Sequence, residues 1–336
     1  MTTEPKIHQI SVVTPVYKGE LTLPALAEEM AALTSPQTTT GGRAWVVTEW
    51  LLVHDNGPDA SADVIAELAE KFDFIRPVWL SRNFGQHPAT LAGMASTRGE
   101  WIATLDEDGQ HNPAELGAFL DAAVDGQLQL VYAQPLNPPP HGFFRNFTSK
   151  AAKWVFSKAL TGGQPATFQS FRLMTGDTGR SVAAYVGPGV YLDVALTWVM
   201  GRIGHAPVTL RSEGDRESGY NFRRLLAHFW RLVLTSGTRA LRMVSIMGGV
   251  LAVIGFVYAI YIAVSSVVSQ TAPSGWPTVV VLILVTSGAI LVALGVVAEY
   301  IGVMVNMALG KPPYLIVSDP QDGPWQRRPN TRRPLP

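Results

Sequence analysis

The feature that most limits how this chain can fold is a long run without charge near its C-terminus. Residues 243–298 contain no Asp, Glu, Lys or Arg. A bilayer core about 30 Å thick is crossed by ~20 apolar helical residues, so the run is long enough for two spans. Pro273, Gly275 and Pro277 interrupt it and predict a turn between them. The alternative is a buried hairpin of a soluble protein, which uncharged helices of this length rarely form.

Basic residues flank the run on both sides. They are Arg223, Arg224, Arg231, Arg239 and Arg242 before it, and Lys311, Arg327, Arg328, Arg332 and Arg333 after it. Since Lys and Arg are enriched in cytoplasmic loops, both ends are predicted to be cytosolic in a multi-pass protein of the cytoplasmic (inner) membrane. The stretch FRRLLAHFWRLV (222–233) puts apolar residues on one helical face and basic ones on the other, which predicts a helix lying on the membrane surface, with a soluble amphipathic helix as the alternative. We expect a cytosolic domain (1–220), this interface region (221–242), a transmembrane hairpin (243–308) and a cytoplasmic tail (309–336).

Composition excludes some other classes of protein. The 26 basic and 26 acidic residues balance, so no nucleic-acid partner is expected. The absence of cysteine excludes disulfides and thiolate metal sites. The polar start MTTEPKIHQ lacks the apolar core of a signal peptide.

Strands alternate with helices through the first part of the chain. Strands are predicted at 8–17, 45–55, 75–81, 100–105 and 128–133, with helices at 21–33, 62–72, 88–96 and 113–124 and a loop at 34–42. This order predicts an α/β fold with a mostly parallel sheet, whose ligands bind at the carboxyl ends of the strands. No GxGxxG follows the first strand and no GxxxxGK[ST] occurs, which argues against a dinucleotide oxidoreductase and a P-loop NTPase.

Acidic residues crowd the end of one predicted strand. LDEDGQH (105–111) places Asp106, Glu107 and Asp108 directly after the apolar WIATL. Two carboxylates spaced Asp-x-Asp can hold one hard cation such as Mg²⁺ or Mn²⁺, which prefers oxygen ligands and completes its shell with water and phosphate. A hydrated loop is the alternative, but Asp55 at the end of a neighbouring strand favours the cation.

Several motifs together resemble the family 2 glycosyltransferases, and among them the polyprenyl-phosphate glycosyltransferases. They are SVVTPVYKGELTLPAL, VHDNGPDAS, LSRNFGQHPATLAGMASTRGEWIATLDEDGQHNPAEL, FQSFRLM and RSEGDRESGYNFRRLL, followed by two apolar spans. The resemblance implies a GT-A Rossmann-like fold, a nucleotide-sugar donor, a polyprenyl phosphate lipid acceptor and Mg²⁺ or Mn²⁺. The implied reaction is an inverting transfer that makes a polyprenyl-phosphate-sugar for extracytoplasmic glycosylation. UDP is the expected nucleotide.

The resemblance also implies roles for single residues. Around the nucleotide-sugar they are Pro15, Tyr17, Glu20, Asp55, Arg82 and Asp106; around the metal they are Asp106, Asp108 and Gln110. Asp106, Asp108 and Ser170 are the expected catalytic positions, although the family often has Asp where this chain has Ser170. Glu107 occupies a variable position and is expected to face solvent.

The acceptor side is predicted from a helical pattern at 141–156. Arg145 and Ser149 are four residues apart and share a helical face, and an arginine with a hydroxyl suits a phosphate monoester. A surface arginine is the alternative. The resemblance implies the same pair as lipid-phosphate ligands, with Arg211 and Arg216 as further ones. A phosphate monoester has a second pKa of ~6, so this acceptor needs little help from a general base.

Other positions depart from the family pattern, and two rival functions remain. His54 replaces an Asp or Asn, Asn56-Gly57 replaces Gly-Ser, and Gln134 replaces an arginine that often follows the fifth strand. One rival is a processive polysaccharide synthase, although QSFRL lacks the tryptophan of the QxxRW motif. The other is a catalytically silent membrane scaffold, which the intact Asp106, Asp108 and Gln110 argue against. Small residues in GGVLAVIG and SGAILVALG allow close helix packing, so a homo-oligomer is possible.

Overall fold

A computed structural model describes residues 6–137, 168–211 and 275–319, with single residues and short stretches between 248 and 264. The described residues 6–137, 168–211 and 312–319 belong to one compact unit, and those from 248 to 311 belong to a second. The strands are β1 (His8–Val16), β2 (Gln37–Thr38), β3 (Ala44–His54), β4 (Ile75–Leu80), β5 (Trp101–Thr104), β6 (Leu130–Pro135), β7 (Arg172–Thr175), β8 (Ile203–Val208) and β9 (Ile316–Val317). The helices are α1 (Leu23–Ala31), α2 (Ser61–Lys71), α3 (Gln86–Ala95), a 3₁₀ turn (Pro113–Glu115), α4 (Leu116–Asp125), α5 (Gly176–Tyr185), α6 (Leu192–Val199) and α7 (Trp276–Ala308).

The strands of the first unit form one sheet in the order β8-β6-β7-β5-β1-β3-β4-β9, with β2 beside β3. The central strand β1 pairs in parallel with both β3 and β5. The α/β architecture predicted from the sequence is confirmed: parallel pairs form the centre of the sheet, and antiparallel strands are added to them. Strand β7 lies antiparallel between β5 and β6, β9 is antiparallel to β4, and β2 forms within the predicted loop at 34–42.

Apolar residues cover both faces of this sheet. Successive residues of β1 point to opposite faces, so Val12 packs on the side of α1, α2 and α4, while Val13 packs on the side of α3, α5 and α6. Both side chains are fully buried. The sheet is therefore covered by helices on each face, and its strand ends are free to form a binding cleft.

Helix α7 has the composition of a membrane span. Within the described residues, one stretch, Thr286–Ala308, is long and apolar enough to cross a bilayer, and very little of it is buried inside the protein. Its exposed side chains include Ile290, Leu291, Leu294 and Ile301. The described residues thus contain one candidate span rather than the two expected. The first predicted span falls largely outside them, and the basic region 221–242 falls wholly outside them.

The segment that follows α7 returns to the sheet of the first unit. Strand β9 pairs with β4 (Trp79 with Val317, Leu80 with Ile316), and the Ser81 amide donates to the Leu315 carbonyl at 3.0 Å. Part of the predicted C-terminal tail is therefore an edge strand of the first unit. Two apolar residues do not reveal this long-range pairing in the sequence.

Candidate active site

A cleft of about 420 Å³ opens where β1, β3 and β5 end. Its lining residues are Pro15, Val16, Tyr17, Asp55, Asn83, Gly85, Gln86, Asp106, Glu107 and Asp108. Because these three strands are parallel, their carboxyl ends meet at the same edge of the sheet. The polar residues that follow the separate strands in the sequence are thereby brought into one site.

Glu107 holds the loop after β1, which corrects the expectation that it faces solvent. Its carboxylate accepts hydrogen bonds from the backbone amides of Tyr17 (2.9 Å) and Lys18 (2.9 and 3.1 Å). Two exposed N–H groups at a chain turn need an acceptor, and a carboxylate is a strong one. Glu107 thus shapes the part of the cleft that Tyr17 lines.

Glu20 lies beside the cleft and is not one of its lining residues. Its Oε2 accepts from the Ala60 amide at the N-terminus of α2 (2.8 Å), while its own amide donates to Asp59 Oδ2 (3.2 Å). Asp59 also accepts from the hydroxyl of Ser61 (2.7 Å). These contacts cap α2 and join it to the β1 loop, so the structure places Glu20 as a support of the cleft.

Asp55 is buried at the end of β3 and braces the loop after β4. Its two oxygens accept from the amides of Phe84 (2.7 Å) and Gly85 (2.8 Å). Burial raises the pKa of Asp55, and these two N–H groups oppose the rise. Arg82 stacks over the Phe84 ring at 4.1 Å and does not line the cleft, whereas its neighbour Asn83 does.

The Asp106 carboxylate is held at both of its oxygens. Gln86 at the start of α3 donates to Oδ1 (2.7 Å), Ser170 donates from its hydroxyl to Oδ2, and the Asp106 amide donates to His111 Nδ1 (3.1 Å). Ser170 reaches this position because it lies two residues before the antiparallel strand β7, which pairs with β5. The contact between Asp106 and Ser170 joins two of the three predicted catalytic positions, and Gln86 is a partner that the motifs did not indicate.

Asp108 and Gln110 form the turn beyond Asp106. The Gln110 amide donates to Asp108 Oδ1 (3.0 Å), and the intervening Gly109 has φ +76°, which favours glycine. Asp106 and Asp108 present carboxylate oxygens to the cleft, the donor type that Mg²⁺ and Mn²⁺ prefer. Within the described residues no group of three or more His, Cys, Asp or Glu side chains could enclose a metal. The residues present therefore fit a cation that takes its other ligands from water and a diphosphate.

The predicted acceptor residues are mostly outside the described residues. Arg145, Ser149 and Arg216 fall there. Arg211 is described: its side chain pairs with Glu29 at 2.8 Å, and its amide donates to the Gln110 carbonyl at 3.0 Å. Arg211 is therefore adjacent to the acidic turn through its backbone, while its guanidinium contacts a carboxylate of α1. Gln134, the other departure on this side, is an exposed residue of β6.

The chain is similar along nearly its whole length to proteins of stated activity. It is 30% identical to an undecaprenyl-phosphate 4-deoxy-4-formamido-L-arabinose transferase of Photorhabdus laumondii subsp. laumondii. The match covers 93% of this chain and 94% of that relative. The protein of the same name from Klebsiella pneumoniae (strain 342) is 28% identical over 94% of this chain and 95% of the relative.

Among solved structures, the chain resembles a glucosyl-3-phosphoglycerate synthase. Glucosyl-3-phosphoglycerate synthase from Mycobacterium tuberculosis, in complex with Mn²⁺, UDP-glucose and phosphoglyceric acid, matches with a TM-score of 0.51 and 16% identity. The match covers 69% of this chain and 80% of the other. The GT-A α/β fold implied by the motifs is thereby confirmed.

The family itself follows from two independent comparisons. The family model for glycosyl transferase family 2 matches residues 11–179, which include β1, the acidic turn and Ser170. The identity to the Photorhabdus relative extends over the rest of the chain as well. The chain is therefore a glycosyltransferase and a member of glycosyl transferase family 2.

Proposed function

We propose that this enzyme transfers a sugar, with inversion, from a nucleotide-sugar to a polyprenyl phosphate in the membrane. The observation that carries the proposal is the meeting of Asp55, Asp106 and Asp108 in one cleft at the strand ends of a family 2 glycosyltransferase. The named relatives, which match over nearly the full chain, act on undecaprenyl phosphate, and this supports the acceptor class. UDP is the proposed nucleotide.

On the donor side, each lining residue has a role that its contacts support. Tyr17, Asp55 and Asn83 form the wall that would receive the nucleoside. Asp106 and Asp108, with Gln110, would hold Mg²⁺ or Mn²⁺ next to the diphosphate. Such a cation, when bound, stabilises the negative charge that develops on a departing nucleoside diphosphate. Glu107 and Gln86 keep this wall in shape through the β1 loop and the Asp106 carboxylate.

Ser170 supports an acceptor that is already ionised. Its hydroxyl proton is donated to Asp106, and a neutral serine in this position cannot act as a general base for a sugar hydroxyl. A lipid phosphate monoester, with a second pKa of ~6, is mostly dianionic at neutral pH and needs no proton removed. Catalysis would then consist of orienting the phosphate oxygen in line with the leaving group.

The pairing of β9 with β4 supports a membrane hairpin. Residues before and after the apolar region belong to the same sheet, so they lie on the same side of any membrane. The number of crossings between them must therefore be even. If α7 crosses once, one further crossing is required before it, and the uncharged stretch after Met243 is long enough to supply it. The basic residues on both sides of the apolar region support a cytosolic location for both ends.

The proposal is tested with the purified full-length protein, undecaprenyl phosphate and a panel of UDP- and GDP-sugars that includes 4-deoxy-4-formamido-L-arabinose on UDP. We expect a single sugar to be transferred to the lipid in the presence of Mg²⁺ or Mn²⁺. Asp108→Asn should reduce the rate by on the order of 10²–10³, as expected for loss of a group that stabilises transition-state charge. Asp177→Asn, at a fully exposed carboxylate of α5, is the matched control and should remain active.

Two outcomes would overturn the proposal. A polymer longer than one sugar would identify a processive synthase. A protein that shows a cooperative thermal unfolding transition, and is therefore folded, but transfers no sugar from any donor would be a scaffold. Substantial activity of Asp108→Asn would remove the metal assignment while leaving the transfer itself established.

A further inference from the structure

A buried ion pair that the proposed reaction does not use lies behind the cleft. Arg172 of β7 pairs with Asp193 of α6, and their side chains are only 3% and 5% exposed. The Tyr132 hydroxyl donates to Asp193 Oδ1 at 2.9 Å. Removing two charges from water is unfavourable, and apolar residues of similar volume often stabilise a protein core equally well or better. Stability is therefore a weak explanation for this pair.

Hydrogen bonds connect the pair to the Asp106 carboxylate in three steps. Arg172 donates from Nε to Thr104 Oγ1 (2.9 Å), and Thr104 donates from the same hydroxyl to the Ser170 carbonyl (2.5 Å). The Ser170 hydroxyl then donates to Asp106 Oδ2. The Thr104 hydroxyl thus acts as an acceptor for Arg172 and as a donor to Ser170.

The strand register explains why these side chains meet. Arg172 lies opposite Thr104 on one neighbouring strand and opposite Tyr132 on the other. Residues that are directly opposite in adjacent strands project to the same face of a sheet. Thr104 is the last residue of β5, so the connection from the core reaches the cleft at the point where Asp106 leaves the sheet.

The charges of Asp193 and Asp106 both act on Arg172. Burial by itself lowers the pKa of Arg172. The negative charge of Asp193 and, to a smaller extent, that of Asp106 raise it, and the net effect is a raised pKa. The guanidinium is therefore positive at any physiological pH, and both carboxylates attract it. Asp193 neutralises a charge that would otherwise lie unpaired in the core beside Thr104.

We propose that Asp193 is a positioning residue for the donor cleft. Through Arg172 and Thr104 it fixes the Ser170 backbone, and Ser170 in turn fixes the orientation of the Asp106 carboxylate. The inference rests on the proposed function in one respect, that Asp106 faces the donor and its cation. Groups that orient a metal-facing carboxylate change metal affinity or activity by roughly 10–100-fold when they are removed.

The test removes the Thr104 hydroxyl, which connects Arg172 to Ser170. Thr104→Val keeps the volume of the side chain and deletes both hydrogen bonds, whereas Thr104→Ser keeps the hydroxyl. Thr97→Val is the matched control, because Thr97 is also buried and its hydroxyl donates to the Met94 carbonyl away from the cleft. Three experiments are carried out on the full-length protein. Electron paramagnetic resonance measures the binding of Mn²⁺ alone, steady-state kinetics give kcat and KM for sugar transfer to undecaprenyl phosphate, and thermal unfolding gives the melting temperature.

We expect Thr104→Val to weaken Mn²⁺ binding and to lower kcat/KM by roughly 10–100-fold. Thr104→Ser should restore both, and Thr97→Val should lower only the melting temperature. In the Ser170→Ala background, Thr104→Val should have little additional effect on Mn²⁺ binding, because the contact through which it acts is already lost. Asp193→Asn, which keeps the shape of the side chain and removes its charge, is measured in the same way with the same expected loss, and it also carries the test if Thr104→Val fails to fold.

Thr104→Val with a lowered melting temperature but wild-type Mn²⁺ binding would overturn the inference, as would additive losses in the double variant. The proposed function fails in a different way. A wild-type protein that binds Mn²⁺ but transfers no sugar would contradict the transfer to lipid, and the Mn²⁺ affinities of the variants would still decide the role of Thr104 and Asp193.

Discussion

Replacing Glu107 by Gln tests whether this carboxylate holds the β1 loop or is merely hydrated. In the structure its oxygens accept from two backbone amides, those of Tyr17 and Lys18. Glutamine has the same shape but is neutral, and one of its two terminal atoms is a donor. At least one amide must therefore lose its best acceptor, and the remaining bond loses its charge.

The size of the effect follows from these contacts. A hydrogen bond to a charged group contributes about 1.5–3 kcal/mol, against about 0.5–1.5 kcal/mol for a neutral one. Because Glu107 is only half-buried, water replaces part of the loss, and we expect about 1–2 kcal/mol of destabilisation. For a domain of this size that is a decrease of roughly 2–8 °C in melting temperature. Since Tyr17 lines the cleft, KM for the nucleotide-sugar should rise together with this decrease.

The assay combines thermal melting with donor kinetics for Glu107→Gln and for a control, Glu100→Gln. Glu100 also adjoins β5, but it lies before the first residue of the strand, whereas Glu107 follows its last residue. It pairs with Lys6 and His8 at the surface, where ion pairs contribute little. The control should therefore leave the donor KM unchanged. Wild-type melting and a wild-type donor KM in Glu107→Gln would refute the reasoning and restore the solvent-facing interpretation.

Two further changes test residues that adjoin the cleft wall. His54 is buried against Trp79, and burial lowers its pKa from the ordinary 6.5, so between the folded value and 6.5 the unfolded state binds a proton that the folded state does not. The free energy of unfolding should therefore fall as pH decreases below about 6.5, by at most about 1.4 kcal/mol per pH unit. In thermal melts across this range, His54→Gln should show a weaker dependence of stability on pH. The same pH dependence in wild type and variant would contradict the assignment. At Gly57 an added Cβ would lie 1.7 Å from the Tyr17 carbonyl oxygen, so Gly57→Ala should destabilise the protein by about 1–3 kcal/mol or more, whereas Gly201→Ala, with no atom within 4 Å of the added Cβ, should not; equal melting temperatures would show that the two loops separate easily.

Much of the first unit could be predicted from local patterns. The apolar character of β1, β3 and β5 and the helical periodicity of α1, α2 and α4 are properties of short segments, and each of these six elements exists in the structure. The position of Asp55 and Asp106 at strand ends predicted their meeting, since parallel strands share an edge. The uncharged run likewise predicted α7, because the thickness of a bilayer sets the length of a span.

The partners of the acidic residues could not be predicted in this way. Glu107 accepts from amides 89 and 90 positions away, and Ser170 donates to Asp106 across 64 positions. Neither contact has a local signal in the sequence. Glu107 could equally have pointed to water, and Ser170 was singled out only by its position in a family pattern that often has Asp there. The single acid in the apolar helix YLDVALTWV was a signal for Asp193, but its partner Arg172 lies on a strand whose neighbours the sequence does not specify.

The sequence by itself determined that this chain builds an α/β domain with acidic strand ends and a long apolar segment, because hydrophobic periodicity and charge are written residue by residue. Only the tertiary structure decided that β7 enters antiparallel between β5 and β6 and that β9 returns to β4. Strand order depends on which distant surfaces bury each other best, and that competition is settled by the whole core rather than by any segment. The contacts that orient Asp106 arise from that choice.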